Sequence, residues 1–464
     1  MRRIGIPSIV QNPAQLVLLA FAMLIGLGTA LLTLPVAADG PDGVGLENAL
    51  FLSTSATTVT GLSTVDIADF SLFGELVILA LIQVGGFGIM TIGSVVALLT
   101  FQRIGLRQRM LAQAEIGNVD IGELSGLLGV IFRITVAVEG TLAAVLFVRL
   151  WQGGYEDGPI DAAYSAIFHS VAAFNNAGIS LYSDNLAGFA GDPLVSIPIT
   201  IGFIVGGLGF PVYVEFLRRW RHERESRRGD DSSARRDRAR PWSLHARITV
   251  GATVVLLVVG PVMVLAFEWA NPGTLGPMGW FDKLVNAWFQ GVSPRTAGFN
   301  LVDNGALKET TLLGTSVLMF IGAGPASTSG GIKVTTFAVL ACVIWAEVRG
   351  DSDVNVFRRR LPTPMIRQAV AIALLSVGFV VATSLFLMTS DGLSLIDALF
   401  ESTSAFGTVG LSTGVTGSIS TVGHVLLVGV MLCGRVGPLT FATAFALRER
   451  ARLYRHPEER PIIG

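Results

Sequence analysis

The chain has 464 residues, of which 51% are hydrophobic and only 14% are charged, where a soluble protein carries about a quarter charged residues. With a mean hydropathy of +0.62 and apolar runs long enough to cross a bilayer, composition excludes an ordinary soluble domain. The net charge of -1 hides a segregation of basic from acidic connections along the chain.

In chain order the pattern predicts a spanning helix over 15–37, a short segment over 46–57 and a second span over 72–100. The same order of long, short, long recurs at 124–151, 160–174 and 193–217. It returns at 247–269, 281–293 and 310–348, and again at 365–388, 393–405 and 421–447. The expected fold is an all-α polytopic membrane protein of eight transmembrane helices and four re-entrant half-helices around a central pore. Its four pseudosymmetric repeats cover 1–110, 111–240 with an Arg-rich linker, 241–360 with an intramembrane loop, and 361–464 with a basic tail. The short segments fall below the ~20 helical residues a crossing needs. Each begins near an acid, Glu47, Asp161, Asp282 or Asp397, which suits the positive end of a helix dipole.

After each short segment comes a glycine turn: Thr58-Val59-Thr60-Gly61, Asn176-Ala177-Gly178, Thr296-Ala297-Gly298 and Thr408-Val409-Gly410, spaced by 117, 120 and 112 residues. Ten residues before each glycine stands an aromatic, Phe51, Phe168, Trp288 or Phe400. Four glycine-bearing loops in this register point to one site assembled around an axis. Glycine admits positive φ, so backbone carbonyls can face inward and replace a cation's water. Irregular backbone at that depth must line water or be buried in protein. No carboxylate lies in the turns, which argues against an acidic-ring filter for divalent cations.

Each second span carries a glycine cluster: Gly85-Gly86-Phe87-Gly88, Gly206-Gly207-Leu208-Gly209, Gly322-Ala323-Gly324 and Gly434-Arg435-Val436-Gly437. For the first two, close helix packing is the expected role. The third continues through Pro325, Ser327, Thr328, Ser329, Gly330 and Gly331 to Lys333, a polar break that should line a cavity. It does not match a phosphate loop. Lys333 is one of three lysines in the chain, and the alternative for it is snorkelling to the interface. Arg435 is expected mid-span, where a charge is costly and therefore paired or cavity-facing. Glu139, within a first helix, is expected to bond backbone donors near a half-helix, with Arg133 snorkelling; His169 and Glu401 are expected to bond locally.

The basic connections comprise Arg2-Arg3, the stretches 103–109, 218–247 and 349–367, and the tail from Arg448. Basic loops stay in the cytoplasm, which places both termini inside. Nothing marks a nucleic-acid-binding module. Cys342 and Cys433 fall in apolar spans and are expected to be free, and no Cys/His spacing points to zinc. The first apolar stretch lacks a cleavage site and reads as a retained helix.

The fourfold layout, the Thr-Val-Thr-Gly and Thr-Val-Gly turns and the stretch Gly322 to Lys333 resemble the Trk/Ktr/HKT superfamily of potassium transporters over essentially the whole chain. A first span near residue 13 resembles the shorter Ktr-type membrane subunit. The resemblance implies potassium uptake across a bacterial cytoplasmic membrane, with potassium held only at Val59 to Gly61, Asn176 to Gly178, Thr296 to Gly298 and Thr408 to Gly410. It implies a gate below, formed by Gly322, Gly324, Ser327, Thr328, Ser329, Gly330, Gly331, Lys333 and Arg435. It also implies a homodimer on a cytosolic ring of nucleotide-binding regulatory subunits, sodium as a candidate co-ion or activator, and no organic cofactor. Sodium-preferring plant relatives carry serine at the first filter glycine, so four glycines favour potassium. Asn175, Asn176 and Arg295 make the second and third turns less channel-like. A less selective sodium/potassium transporter and a secondary transporter of another solute are the alternatives; no enzyme motif is present.

Overall fold

The computed structural model describes residues 13–40, 43–103, 121–227, 242–438 and 440. Arg2-Arg3, most of the basic stretch 103–109, the linker 228–241 and the basic tail lie outside the described residues.

The first repeat is α1 (Pro13–Leu32), the half-helix α2 (Leu46–Thr58) and α3 (Leu72–Arg103). The second is α4 (Ile121–Gln152), the half-helix α5 (Pro159–Asn175), α6 (Pro193–Leu208) and α7 (Phe210–Arg227). The third is α8 (Leu244–Glu268), the half-helix α9 (Trp280–Val292), α10 (Glu309–Phe320) and α11 (Val334–Arg349). The fourth is α12 (Thr363–Ser390), the half-helix α13 (Leu395–Gly407) and α14 (Thr421–Val436). All four half-helices carry their expected acid in the first turn.

Among the described residues, four helices are long and apolar enough to cross a membrane: 15–32, 129–152, 244–268 and 363–390. They are the first helices of the four repeats. Two of the second helices differ from expectation. The span expected over 193–217 is bent by 91° between Leu208 and Phe210, and the one expected over 421–447 is interrupted after Val436, with Pro438 and Thr440 helical again and 441–447 outside the described residues. Glycine follows both helices, Gly209 with φ 90° and Gly437 with φ 96°. The fold also includes one antiparallel hairpin, Asn355–Val356 with Arg359–Arg360. Its two-residue turn uses positive φ at Phe357 and Arg358, the geometry of the favoured hairpin turns without their usual asparagine or glycine.

The repeats close into a ring. The second helix of each packs against the half-helix of the next: α3 on α5, α6 on α9, α10 on α13, and α14 on α2. Each half-helix is therefore packed between its own repeat and the preceding one, and Phe51, Phe168 and Phe400 are fully enclosed. In the third repeat the expected Trp288 is instead 37% exposed and Phe289 is the enclosed ring. Pro294, lacking an N–H, follows shortly after this helix ends at Val292, so three additional residues of turn precede the glycine loop and shift the register by one.

A buried anchor that the pattern did not single out is Glu268, at the end of α8. Its carboxylate accepts from Asn271 Nδ2 (2.5 Å), Thr274 Oγ1 (2.6 Å), the Lys308 N–H (3.0 Å) and Thr311 Oγ1. Glu268→Ala leaves four donors without their acceptor and should destabilise the protein by about 3 kcal/mol. A fall in the thermal midpoint of purified protein in detergent checks this.

Candidate functional site

The half-helices end with the chain turning through the left-handed region at equivalent positions: Val59 (φ 55°), Asn176 (61°), Thr296 (69°) and Thr408 (49°). Two residues on, Gly61, Gly178, Gly298 and Gly410 also have positive φ, between 65° and 96°. The repeats thus share one backbone path despite unlike side chains, and every sequence-predicted turn residue lies in it. Thr60, Ala177, Ala297 and Val409, each just before a glycine, are fully buried.

The four turns meet in cyclic register. The carbonyl oxygen of Ala177 lies where a side chain on Gly61 would be. Ala297 O holds that place for Gly178, Val409 O for Gly298 and Thr60 O for Gly410. A methyl on Gly178 would stand 2.6 Å from the Gly298 Cα, and one on Gly410 would stand 2.9 Å from the Gly61 Cα. Glycine is needed here twice, for its φ and for the room its missing side chain leaves. The first and fourth turns share a further brace: Ser55 Oγ accepts the Gly61 N–H (3.0 Å) and Ser404 Oγ accepts the Gly410 N–H (3.1 Å). The second is held by Asn185 Nδ2 donating to Gly178 O (3.1 Å), and the third by Ser293 Oγ donating to Phe299 O.

The irregular segment 321–333 lies directly beneath, between α10 and α11. Gly322, Gly324, Ser327, Thr328, Ser329, Gly330 and Gly331 are all buried. A side chain on Gly330 would strike Thr408, and Gly331 sits against Gly407. Asn176 joins the two levels, donating from Nδ2 to Thr296 Oγ1 (3.4 Å) and accepting at Oδ1 from Thr328 Oγ1 (3.0 Å). That bridge was not foreseen; the signal available was an amide where the other turns have Val59, Thr296 and Thr408.

What holds this segment follows from two prolines. In a continuous helix the residue at 211 would donate to Gly207 O and the residue at 438 to Gly434 O, but both are proline and have no N–H. The freed carbonyls are taken by the segment itself: Gly324 N–H donates to Gly207 O (2.8 Å) and Gly331 N–H to Gly434 O (3.2 Å). Phe210 N–H, diverted from its own helix, donates to Ala326 O (3.1 Å). The glycine cluster of the second repeat is therefore a break and a docking edge as well as a packing surface. Close packing does occur: side chains on Gly85, Gly206 or Gly434 would strike Thr57 O, Phe174 O or Phe406 O of the neighbouring half-helix. Gly209→Ala, which would place a methyl against Pro325 O in a backbone region that disfavours side chains, should cost about 1–3 kcal/mol. The thermal midpoint measures it.

Arg435 is not mid-helix but in the last turn of α14, and it is buried rather than snorkelling. Its Nη1 donates to Thr328 O and its Nη2 to Gly85 O (3.1 Å), so it ties the segment to α3. Lys333 turns back onto the segment, donating to Ser329 O (2.5 Å) and Gly330 O (3.3 Å). Glu139 accepts from the side-chain amides of Gln83 (3.4 Å) and Asn175 (3.3 Å), not from backbone donors. His169 and Glu401 bond locally, His169 to Ser165 O and Ser180, Glu401 to Ser412, Thr413 and Thr416. Cys342 and Cys433 are free thiols.

Four repeats closing on a ring of glycine turns, with a buried irregular segment packed against them, define a helical protein whose apolar helices are long enough to cross a membrane. A family model described as a cation transport protein, TrkH, matches residues 7–455, and the chain belongs to that family. It is 38% identical to the Ktr system potassium uptake protein B of Bacillus subtilis, over 98% of this chain and 97% of that one. It is 37% identical to the protein of the same name from Vibrio alginolyticus, over 97% and 94%. It is 29% identical to the potassium/sodium uptake protein NtpJ of Enterococcus hirae, over 98% and 97%. The crystal structure of the potassium transporter TrkH from Vibrio parahaemolyticus shares the fold, with a TM-score of 0.70 at 17% identity, covering 96% of this chain and 86% of that one.

Proposed function

We propose that this chain is the membrane subunit of a bacterial potassium-uptake system, and that its four glycine turns form the selectivity filter. The observation that carries the reading is the cyclic register in which a carbonyl of each repeat meets the glycine of its neighbour. Carbonyls so placed replace an ion's hydration shell without fixed charge. The ligand set comprises Val59 to Gly61, Asn176 to Gly178, Thr296 to Gly298 and Thr408 to Gly410. The segment 322–333, with Lys333 and Arg435, is the gate. The second helices, three of them broken, complete the crossing, giving eight spans and four half-helices in the repeats 1–110, 111–240, 241–360 and 361–464. The basic connections put both termini in the cytosol.

The printed names of the Bacillus and Vibrio relatives support potassium as the ion and membership of a Ktr system. Assembly as a homodimer on cytosolic nucleotide-binding subunits belongs to the same proposal. A less selective sodium/potassium pathway is the second reading, favoured by the Enterococcus relative's name and by Asn176 and Arg295 in the weaker quarters. Growth of a potassium-uptake-deficient bacterium on low-potassium medium, with the cytosolic subunit co-expressed, tests the proposal. Rescue is the expected result, and failure overturns it. Potassium and sodium fluxes compared in reconstituted vesicles separate the two readings.

A further inference from the structure

The bend at Gly209 sends α7 away at 91° to α6. Helix α6 has 16 residues, about 24 Å of helix, and its end at the bend packs beside the second turn, Gly206 against Phe174 O. Helix α7 is tied through Glu215 to Ser243, the N-cap of α8, and so lies beside one end of a helix long and apolar enough to span. Its composition changes along its length, from Phe210-Pro-Val-Tyr-Val to a run with Arg218, Arg219, Arg221, Arg224 and Arg227 against Glu223 and Glu225. Phe216 and Trp220, one turn apart on one face, are 55% and 43% exposed. Another face is committed to protein: Glu215 accepts from Ser243 N–H (2.7 Å) and Oγ (2.5 Å), and Arg219 lies 5.2 Å over Trp242. Exposed aromatics on a helix whose sequence is rich in arginine, beside the end of a spanning helix, are the pattern of a segment seated on anionic lipid.

We propose that α7 docks on the cytosolic leaflet through anionic phospholipid headgroups and that this docking holds the intramembrane segment in the arrangement described above. The connection is direct: the N–H of Phe210, the first residue of α7, donates to Ala326 O, and Gly207 O, just before the bend, accepts from Gly324 N–H. A ligand stabilises the state it binds, so anionic lipid favours the segment lying under the filter. This inference rests on reading the segment as a gate.

The test is potassium flux from vesicles of phosphatidylcholine with and without phosphatidylglycerol. Wild-type flux should fall several-fold with phosphatidylglycerol, and the fall should weaken at high salt. The triple variant Arg218→Gln, Arg221→Gln, Arg224→Gln should match wild type in phosphatidylcholine and lose the response. Brominated phosphatidylglycerol should quench a tryptophan component that Trp220→Phe lacks. An unchanged lipid response in the triple variant, or no quenching assignable to Trp220, overturns the inference. So does a variant that keeps its lipid response and loses only its response to a co-reconstituted cytosolic subunit, which would make α7 a protein-docking helix. Absence of flux in every lipid refutes the potassium-uptake proposal itself.

Discussion

Gly61→Ser is expected to lower the ratio of potassium to sodium flux by at least about tenfold, equivalent to ~1.4 kcal/mol of lost discrimination. Gly61 has φ 96°, and a side chain there would occupy the position of Ala177 O. The serine can be accommodated only by moving that carbonyl, so the damage falls on a neighbouring quarter of the ring. Gly410→Ser, with the same φ and Thr60 O in its path, should behave alike by displacing a proposed ligand of the first turn. Flux ratios in reconstituted vesicles measure both. A variant that folds, transports and keeps the wild-type ratio would show that these carbonyls do not set selectivity.

Arg435→Ala should raise potassium flux roughly tenfold or more. The guanidinium donates to Thr328 O and Gly85 O from a buried position, and a hydrogen bond from a charged group contributes about 1.5–3 kcal/mol. Losing two such bonds removes several kcal/mol from the arrangement in which the proposed gate segment is held against the turns, and each 1.4 kcal/mol shifts a two-state population tenfold. The substitution also removes a positive charge beside the proposed path. Arg435→Lys keeps that charge but cannot span both carbonyls, and its flux should fall between those of the other two. Equal flux in all three proteins would exclude Arg435 from gating.

The repeats and turns were legible because they depend on local chemistry. Apolar length set the first helices, an acid opened each half-helix, and glycine marked each reversal. The third repeat misled by one position: Trp288 matched the spacing, but the half-helix stops before Pro294 and presents Phe289 to the core. The second repeat misled more. Its cluster Gly206 to Gly209 looks like Gly85 to Gly88, yet α3 continues through its cluster and α6 ends at Leu208. The readable difference was Pro211 two residues past the last glycine, repeated as Pro438 after Gly437. Proline shows which carbonyl is released but not which donor takes it.

By itself, then, the sequence determined the membrane class, the fourfold repeat, the four glycine turns and the polar break before Lys333, because each follows from properties of neighbouring residues. Only the tertiary structure decided that the turns form a ring in cyclic register and that Asn176 bridges the turns and the segment below. It also decided that the broken second and fourth repeats hold the third repeat's segment in place. Those contacts join residues more than a hundred positions apart, such as Phe210 with Ala326 and Gly331 with Gly434. They exist because buried backbone groups must find partners, and once proline and glycine release them from their own helices, the partners lie in another repeat.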